Sequence, residues 1–222
     1  MLDVRMKLYL DIETNRPRKD LAFIKEKIIV IGVIEEWTKY APESANKNRF
    51  FKLWDEEINN NEGKLVREFY EYLGNVRDQA KKQNEPIVVV GFNILRFDIP
   101  LLIQKGFKYK INSLGGLNKF WHDMLVIDYE QASLPFYSMR FKGLQLETLI
   151  GKAKAIGLNV EERYGSGEDV VKWFKNKEYD KIIKHLKADL EAVRVIDQHY
   201  MRFYSTLAKE AFRAQTSRDF SE

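Results

Sequence analysis

The apolar residues near the start of the chain alternate with polar ones. Within residues 6–13 the aliphatic side chains lie two apart, which is the period of a half-buried strand, and two acids share the opposite face. Residues 27–37 form a nearly continuous, β-branched apolar run, which is typical of a central strand. Residues 49–54 predict a third strand after a turn-rich loop at residues 38–48. Successive strands joined in this way indicate an antiparallel meander.

The rest of the chain shows helical spacing interrupted by short apolar runs. Residues 61–83 carry apolar side chains at helical intervals with basic residues on the other side, as in an amphipathic helix. A second long helix is predicted from residue 179 to at least residue 204. The remaining predicted elements are strands at residues 86–91 and within 120–129, and helices near residues 98–105, 143–156 and 169–175.

This order of elements predicts an α/β fold. Antiparallel strands followed by α/β units give a mixed central β-sheet flanked by helices. The length of 222 residues suits one large domain. We therefore expect a single domain over residues 1–210 and a polar, frayed C-terminal tail over residues 211–222.

Composition narrows the choice of partner and compartment. The chain has 37 Lys and Arg against 33 Asp and Glu, and its net charge of +4 suits a polyanion such as nucleic acid without establishing one. The absence of cysteine excludes disulfides and thiolate metal sites, and the N-terminus lacks the pattern of a signal peptide. No apolar stretch approaches the ~18 residues of a membrane span. We therefore expect a cytoplasmic protein without a membrane partner.

The first candidate site residues are the acids of the first strand. Asp11 and Glu13 lie two apart, so both side chains point to one face of the strand. Like charges this close repel each other unless a cation neutralises them, and hard divalent cations prefer such oxygen ligands. The pattern alone leaves two explanations open, a metal site or two solvated acids on an exposed face.

A second group of polar residues follows the strand predicted at residues 86–91. Asn93 and Asp98 lie beyond its end, and Asp98 stands at the start of the next predicted helix. Asp often caps a helix and Asn often occupies a turn, which is one explanation. Strand ends in α/β sheets are also where sites are built, so Asp98 could approach the pair formed by Asp11 and Glu13.

The third group lies on the last predicted helix. His185 and Asp189 are four residues apart and therefore share a helix face. Asp189 lies close to the apolar stripe of that helix, between Leu186 and Val193, where burial of an unpaired carboxylate is costly. A metal ion removes this cost, whereas an exposed position at the edge of the stripe avoids it.

The three groups follow one another in a specific order. Their motifs are Asp11-Ile-Glu13, Asn93-x-x-x-Phe97-Asp98 and, on a late helix, Asp189. This order resembles that of the DEDD superfamily of 3′–5′ exonucleases. The likeness is greatest to the exonuclease domain of family B DNA polymerases and its stand-alone relatives, and it extends over roughly residues 6–200.

The resemblance implies an RNase H-like fold and a two-metal mechanism. The four acids that hold two Mg²⁺ or Mn²⁺ ions in that family match Asp11, Glu13, Asp98 and Asp189. The positions that contact substrate match Thr14, Asn93 and Phe97. The implied reaction is removal of 5′-nucleotides from the 3′ end of DNA, or of RNA, with single-stranded 3′ ends as the expected partner and DNA repair as an expected role.

One position departs from the family pattern. The polymerase-like branch has a tyrosine four residues before the last aspartate, and the other large branch has a histidine five residues before it. Here His185 lies four residues before Asp189. We therefore place His185 in the position of the tyrosine and expect it to orient or deprotonate the attacking water, because a neutral imidazole accepts a proton readily.

Other functions remain compatible with these residues. A structure-selective or RNA-processing nuclease could use the same acids, and a non-catalytic nucleic-acid-binding or assembly module could keep the fold. The loop at residues 133–142 mixes aromatic with basic side chains, which suits either base stacking on a single strand or burial of the aromatic rings. Asp128 is predicted as a strand-end residue, and His122 and Asp123 as loop residues.

Overall fold

The computed structural model describes residues 6–16, 23, 25–37 and 47–219, with side chains described as far as residue 211. Most of the loop predicted at residues 38–48 lies outside them. The described strands are β1 (Met6–Asn15), β2 (Lys27–Glu36), β3 (Lys47–Lys52), β4 (Ile87–Gly91) and β5 (Leu125–Asp128). The described α-helices are α1 (Glu62–Lys82), α2 (Asp98–Lys108), α3 (Leu114–His122), α4 (Tyr129–Ser133), α5 (Leu146–Ala155), α6 (Gly167–Lys175), α7 (Tyr179–Gln198) and α8 (Tyr200–Asp219).

The strands form a single mixed sheet in the order β3-β2-β1-β4-β5. The first three strands pair antiparallel as the predicted meander. β4 then runs parallel to β1, and β5 runs parallel to β4. The predicted α/β class with a mixed central sheet is therefore confirmed, and the first strand of the chain lies at the centre of the sheet.

Helices cover both faces of this sheet. On one face Phe51 of β3 packs against Phe69 of α1, with ring centroids 5.6 Å apart. The other face belongs to α7, which approaches β2 so closely that a Cβ on Gly32 would lie 2.8 Å from the side chains of Leu186 and Leu190. Because a side chain has no room there, glycine is what lets α7 lie directly over the sheet.

The register of β1 decides which face carries the acids. Asp11 pairs with Gly32, and paired residues of antiparallel strands point to the same face. Asp11 and Glu13 therefore point toward α7, whereas the intervening Ile12 pairs with Ile31 on the face of α1. The alternation in the sequence thus places both carboxylates under one helix.

Several elements differ from expectation. Helix α3 was not predicted, because Gly115 and Gly116 in its first turn weaken the helical signal. It extends to His122, so this residue lies in a helix and not in the predicted loop, and Asp123 is its C-cap. Helix α5 begins at Leu146, beyond Gly143, whose φ of +87° does not belong to a right-handed helix.

The long last helix is also divided. The chain leaves helical geometry at His199, which ends α7, and α8 then continues to Asp219, through the segment predicted as a polar tail. This break lets α8 return to the fold, where Tyr204 stacks on Tyr129 with centroids 6.0 Å apart. None of the described helices is both long enough and apolar enough to span a bilayer.

Candidate active site

A cleft of about 1080 Å³ opens beside the C-terminal half of β1. It lies between the loop after β4 and helices α5, α6 and α7. Every predicted site residue except His185 lines this cleft: Asp11, Glu13, Thr14, Asn93, Phe97, Asp98 and Asp189. Residues predicted from three separate motifs therefore meet at one place in the fold.

Asp11 lies at the centre of the acidic group. Its pKa is raised well above the usual value, first by burial and then by the negative charges of Asp98, Glu13 and Asp189. The positive charge of Arg163 partly opposes this shift. Since three other acids act on Asp11 together, the carboxylates repel one another and favour a cation among them.

Asp98 is the first residue of α2 and is only 3% exposed. Its Oδ1 atom has no hydrogen-bond partner. Burial raises its pKa well above the usual range, and the charges of Glu13 and Asp128 add to this effect, although backbone hydrogen bonds oppose it. The capping explanation fails, because the N-cap position belongs to Phe97 and no side chain caps the helix there. Asp98 therefore presents a buried, unpaired oxygen at the cleft.

The loop that carries Asn93 is held by a residue of β5. Asn93 adopts a positive φ of +61°, and its side-chain Oδ1 is buried without a partner. The backbone N–H groups of Asn93 and Leu95 each donate to the Asp128 carboxylate at 2.9 Å. Asp128 also accepts from the backbone N–H of Glu130 at 2.9 Å. Asp128 is thus the predicted strand-end residue, and its carboxylate fixes the loop that precedes Asp98.

Two other predicted substrate residues are engaged within the protein. Thr14 follows an irregularity in the pairing of β1 with β2, and its hydroxyl donates to Glu26 at 2.7 Å. The ring of Phe97 lies 5.4 Å from the ring of Phe23. Both residues line the cleft, where Phe97 offers an aromatic surface beside Asp98.

Asp189 is paired with an arginine that the sequence did not reveal. Arg163 Nε lies 3.1 Å from Asp189 Oδ1 and 2.9 Å from Oδ2, and Arg163 Nη2 lies 2.9 Å from Oδ2. Burial raises the pKa of Asp189, while the positive charges of Arg163 and His185 oppose the rise. Arg163 lies outside any helix or strand and far from Asp189 in sequence, so no local pattern indicated this contact.

His185 lies behind the acids and is fully buried. Its Nδ1 is 2.6 Å from the carbonyl oxygen of Tyr164, and its Nε2 is 3.0 Å from Glu13 Oε1. Burial lowers the pKa of His185, but the neighbouring carboxylates of Glu13 and Asp189 outweigh this and raise it. Nε2 forms no well-aligned hydrogen bond, so its contact with Glu13 is a close approach of a ring nitrogen to a carboxylate oxygen.

The donor set of the cleft fits hard divalent cations. One ligand atom each from Glu13, Asp189 and the buried His185 behind them lie within 4.8 Å of one another, a spacing that suits a metal ion. Asp98 adds a buried oxygen without a partner, and Asp11 stands among the charges of the other acids. Carboxylates arranged in this way are typical ligands of Mg²⁺ and Mn²⁺.

Comparison with known proteins gives structural but no sequence matches. No protein-family model matches the chain, and no curated protein matches it. The structure is similar to the family B DNA polymerase of the hyperthermophilic archaeon Pyrobaculum calidifontis, with a TM-score of 0.56 and 14% identity over 88% of this chain and 24% of that one. It is also similar to E. coli exonuclease I in a zinc-bound complex with ssDNA, with a TM-score of 0.51 and 13% identity over 93% of this chain and 43% of that one.

An apo structure of exonuclease I is similar to the same degree, with a TM-score of 0.51 and 12% identity over 93% of this chain and 45% of that one. The chain thus spans about a quarter of the polymerase, 24%, and less than half of exonuclease I. Identities this low show the fold. The chain has an RNase H-like fold, and the resemblance to family B DNA polymerases and stand-alone exonucleases is confirmed at the level of that fold.

Proposed function

We propose that the protein is a metal-dependent 3′–5′ exonuclease that releases 5′-nucleotides from single-stranded ends of DNA, or of RNA. The observation that carries this proposal is the position of Asp98, whose unpaired carboxylate oxygen is buried beside Asp11 and Glu13. Three ionised carboxylates this close together destabilise the fold unless a cation binds among them and neutralises their charge. Their place on an RNase H-like sheet supports a nuclease.

The metal ligands in this proposal are Asp11, Glu13, Asp98 and Asp189, which would hold two Mg²⁺ or Mn²⁺ ions. Bound divalent ions lower the pKa of water and stabilise negative charge on the departing oxygen. The protein itself supplies the rigid placement of the acids, since Asp11 and Glu13 lie on the central strand and Asp98 begins a helix. Rigid placement is what such a site needs, because small displacements of ligands weaken catalysis.

His185 has a positioning role in this mechanism. The sequence led us to expect that His185 orients or deprotonates the attacking water, whereas in the structure its buried ring lies outside the lining of the cleft. Its Nε2 instead faces Glu13 at 3.0 Å. We propose that His185 fixes the orientation of the Glu13 carboxylate, as neighbours of metal ligands commonly do.

The substrate in this proposal lies along the cleft. Asn93, Phe97 and Asp98 line it, and so do the basic residues Arg16 and Lys172. Aromatic rings and basic groups together suit a single strand, because bases stack on rings while phosphates meet positive charge. The ssDNA in the complex of the exonuclease I neighbour supports this choice.

The test is cleavage of a 5′-labelled single-stranded oligonucleotide in Mn²⁺, Mg²⁺ or EDTA. We expect a ladder that shortens from the 3′ end with either metal and no cleavage in EDTA. Asp98→Asn should lower the rate by more than about 100-fold, because it removes the negative charge of a metal ligand while preserving the shape of the side chain. Asp123→Asn, which alters a surface carboxylate at the end of α3, is the matched control and should retain the rate.

The other candidate functions give different results in this assay. Internal products of fixed size indicate a structure-selective or RNA-processing nuclease. Binding of the oligonucleotide without metal-dependent cleavage, unchanged in Asp98→Asn, indicates a binding module and refutes the proposal. A role in DNA repair requires activity on DNA, so cleavage of RNA without any cleavage of DNA in parallel reactions excludes that role.

A further inference from the structure

Arg163 lies within the acidic group and is not a surface residue. Its side chain is 24% exposed, and its guanidinium contacts both carboxylate oxygens of Asp189 at 2.9–3.1 Å. Arg163 Nη1 also lies 3.5 Å from Glu147 Oε1. The charge of Arg163 acts on Asp11 as well, since it lowers the pKa that the acids around Asp11 raise. The positive charge of Arg163 therefore already offsets part of the repulsion among these acids.

Asp98 of α2 and Asp189 of α7 differ in how easily a metal ion can reach their oxygens. On the side of α2, Asp98 Oδ1 has no hydrogen-bond partner. On the side of α7, both oxygens of Asp189 are occupied by Arg163. A cation can reach Asp98 without breaking any contact of Oδ1, whereas a cation that uses Asp189 must first displace a two-pronged, charge-assisted pair.

We propose that Arg163 is an internal counter-ion that competes with one of the two divalent ions for Asp189, so that the two ions bind with unequal affinity. This inference rests on the metal centre of the proposed function and adds a residue that sets its metal affinity. In this proposal Asp98 would hold the ion that binds more tightly, and Arg163 would have to leave Asp189 before that carboxylate could hold the other ion.

The structure provides an alternative partner for the released guanidinium. The backbone next to Arg163 is fixed, because the Tyr164 carbonyl contacts His185 and the Tyr164 ring stacks on Trp173 with centroids 5.4 Å apart. Release therefore involves rotation of the arginine side chain and no movement of the loop. Glu147, already 3.5 Å away and 49% exposed, can accept the guanidinium after it leaves Asp189.

Titration of the metal-free chain of residues 1–222 with Mn²⁺ in a calorimeter tests this inference. We expect two classes of site in the wild type. In Arg163→Gln the weaker class should tighten by about 10-fold, because the competing pair is lost, while the stronger class changes little. Arg163→Lys keeps the positive charge but cannot form the two parallel hydrogen bonds of a guanidinium. Its affinity for Mn²⁺ at the weaker class should therefore lie between those of the wild type and Arg163→Gln.

Arg16→Gln is the matched control. Arg16 also lines the cleft, but it pairs with Glu26 at 3.1 Å and contacts none of the four acids. Its replacement removes the same charge, so it should raise the affinity for Mn²⁺ by less than about 3-fold through general electrostatics. A change in Arg16→Gln equal to that in Arg163→Gln overturns direct competition.

Thermal unfolding gives a second readout. In EDTA, Arg163→Gln should unfold at a lower temperature than the wild type, because its acids lose their counter-ion. In saturating Mn²⁺ the difference should vanish or reverse, because the ions replace the arginine. Arg163 has a merely structural role if Arg163→Gln is destabilised equally in both solutions, and the inference then fails.

The calorimetric result is independent of nuclease activity. If Arg163→Gln tightens the weak site but no oligonucleotide is cleaved, the inference holds and the proposed exonuclease function fails. If Arg163→Gln binds Mn²⁺ as the wild type does, or less tightly, while cleavage is metal-dependent, the exonuclease stands and competition by Arg163 is refuted.

Discussion

The imidazole of His185 connects Glu13 to the backbone of Tyr164. Its Nδ1 lies 2.6 Å from the Tyr164 carbonyl oxygen, so Nδ1 donates and the ring orientation is fixed. Nε2 then faces Glu13 Oε1 at 3.0 Å from the buried side of the cleft. His185 of α7 thus lies between the Glu13 carboxylate of β1 and the loop that contains Arg163 and Tyr164.

Replacement of His185 tests this positioning role. His185→Phe fills the buried space but has no ring nitrogen to interact with the Glu13 carboxylate or to donate to the Tyr164 carbonyl. We expect metal-dependent cleavage to slow by about 10- to 100-fold, with an unchanged KM for the oligonucleotide, as is usual for residues that orient metal ligands. Steady-state kinetics over a range of oligonucleotide concentrations give both constants.

Thermal unfolding of His185→Phe in EDTA distinguishes the positioning role from general destabilisation. A folded variant with a wild-type kcat contradicts the positioning role. A higher KM with unchanged kcat contradicts it as well, because it would place His185 in contact with substrate.

The sequence predicted those parts of the site that depend on the spacing of neighbouring residues within one strand or one helix. The alternation in β1 defines one face for Asp11 and Glu13, and the helical spacing of His185 and Asp189 defines another. Both faces meet in the structure because Gly32 lets α7 approach the sheet. That approach depends on packing between distant elements, and the sequence indicated it only through the likeness to a known family.

The features that the sequence did not predict depend on contacts between distant residues. Arg163 resembles any loop arginine until its 2.9 Å contact with Asp189 is seen. Asp128 was recognised as a strand end, but its hydrogen bonds reach back to Asn93 and Leu95. Neither periodicity nor local propensity records such partners, since the residues involved lie 26 to 35 positions apart in the chain.

The carboxylate of Asp128 should contribute strongly to stability. It accepts hydrogen bonds from the backbone N–H groups of Asn93, Leu95 and Glu130, so Asp128→Ala leaves three donors, two of them part-buried and one buried, without this partner. We expect a loss of about 3 kcal/mol in the free energy of unfolding, measured by urea denaturation in EDTA. Asp128→Asn keeps one acceptor oxygen and should lose about half as much.

The cap of α6 supplies the control for Asp128. Asp169 completes the capping box of Ser166 on the surface of the protein, so Asp169→Ala should cost less than Asp128→Ala. Equal losses in the free energy of unfolding of Asp128→Ala and Asp169→Ala would show that Asp128 stabilises the protein no more than a surface helix cap does. In that case the loop before Asp98 must be held by other contacts.

Phe141 presents an exposed aromatic surface. The sequence left open whether the aromatic rings of residues 133–142 face solvent or the core, and the structure divides them. Phe136 packs against Tyr204 with centroids 5.5 Å apart. Phe141 is 39% exposed, and the guanidinium of Arg96 lies 3.9 Å from its ring centroid. Arg96 in turn pairs at 3.3 Å with Glu130, which lines the cleft.

Phe141→Ala should therefore weaken binding of a single-stranded oligonucleotide by about 5- to 50-fold, the range expected for loss of one stacked base. Fluorescence anisotropy in the Asp98→Asn background measures this without cleavage. Phe136→Ala is the control, and it should lower the unfolding temperature while leaving the affinity unchanged. If Phe136→Ala weakens binding as much as Phe141→Ala does, the loss reflects disturbance of the loop and not stacking.

The metal-free protein should lose stability as the pH rises from about 4 toward neutrality. Burial, with the charges of Glu13 and Asp128, raises the pKa of Asp98 well above its usual value of 3.8. At a pH between the usual pKa, which applies to the unfolded chain, and the raised pKa of the folded state, Asp98 keeps its proton when folded and releases it when unfolded. A rise in pH within this range therefore favours unfolding. The raised pKa of His185 acts in the same direction, because the stabilisation of the protonated ring disappears as the pH rises through that value.

Asp98→Asn isolates the contribution of Asp98 to this dependence. The amide has the shape of the carboxyl group but no ionisation, so the variant should lose less stability between pH 4 and neutrality than the wild type does. Urea denaturation in EDTA at several pH values provides the comparison, and saturating Mn²⁺ should remove the decline in the wild type, because the ions stabilise the ionised acids. If the stabilities of the two proteins in EDTA change with pH in parallel, the pKa of Asp98 is not raised. The proposal that Asp98 is a metal ligand would then lose its main support.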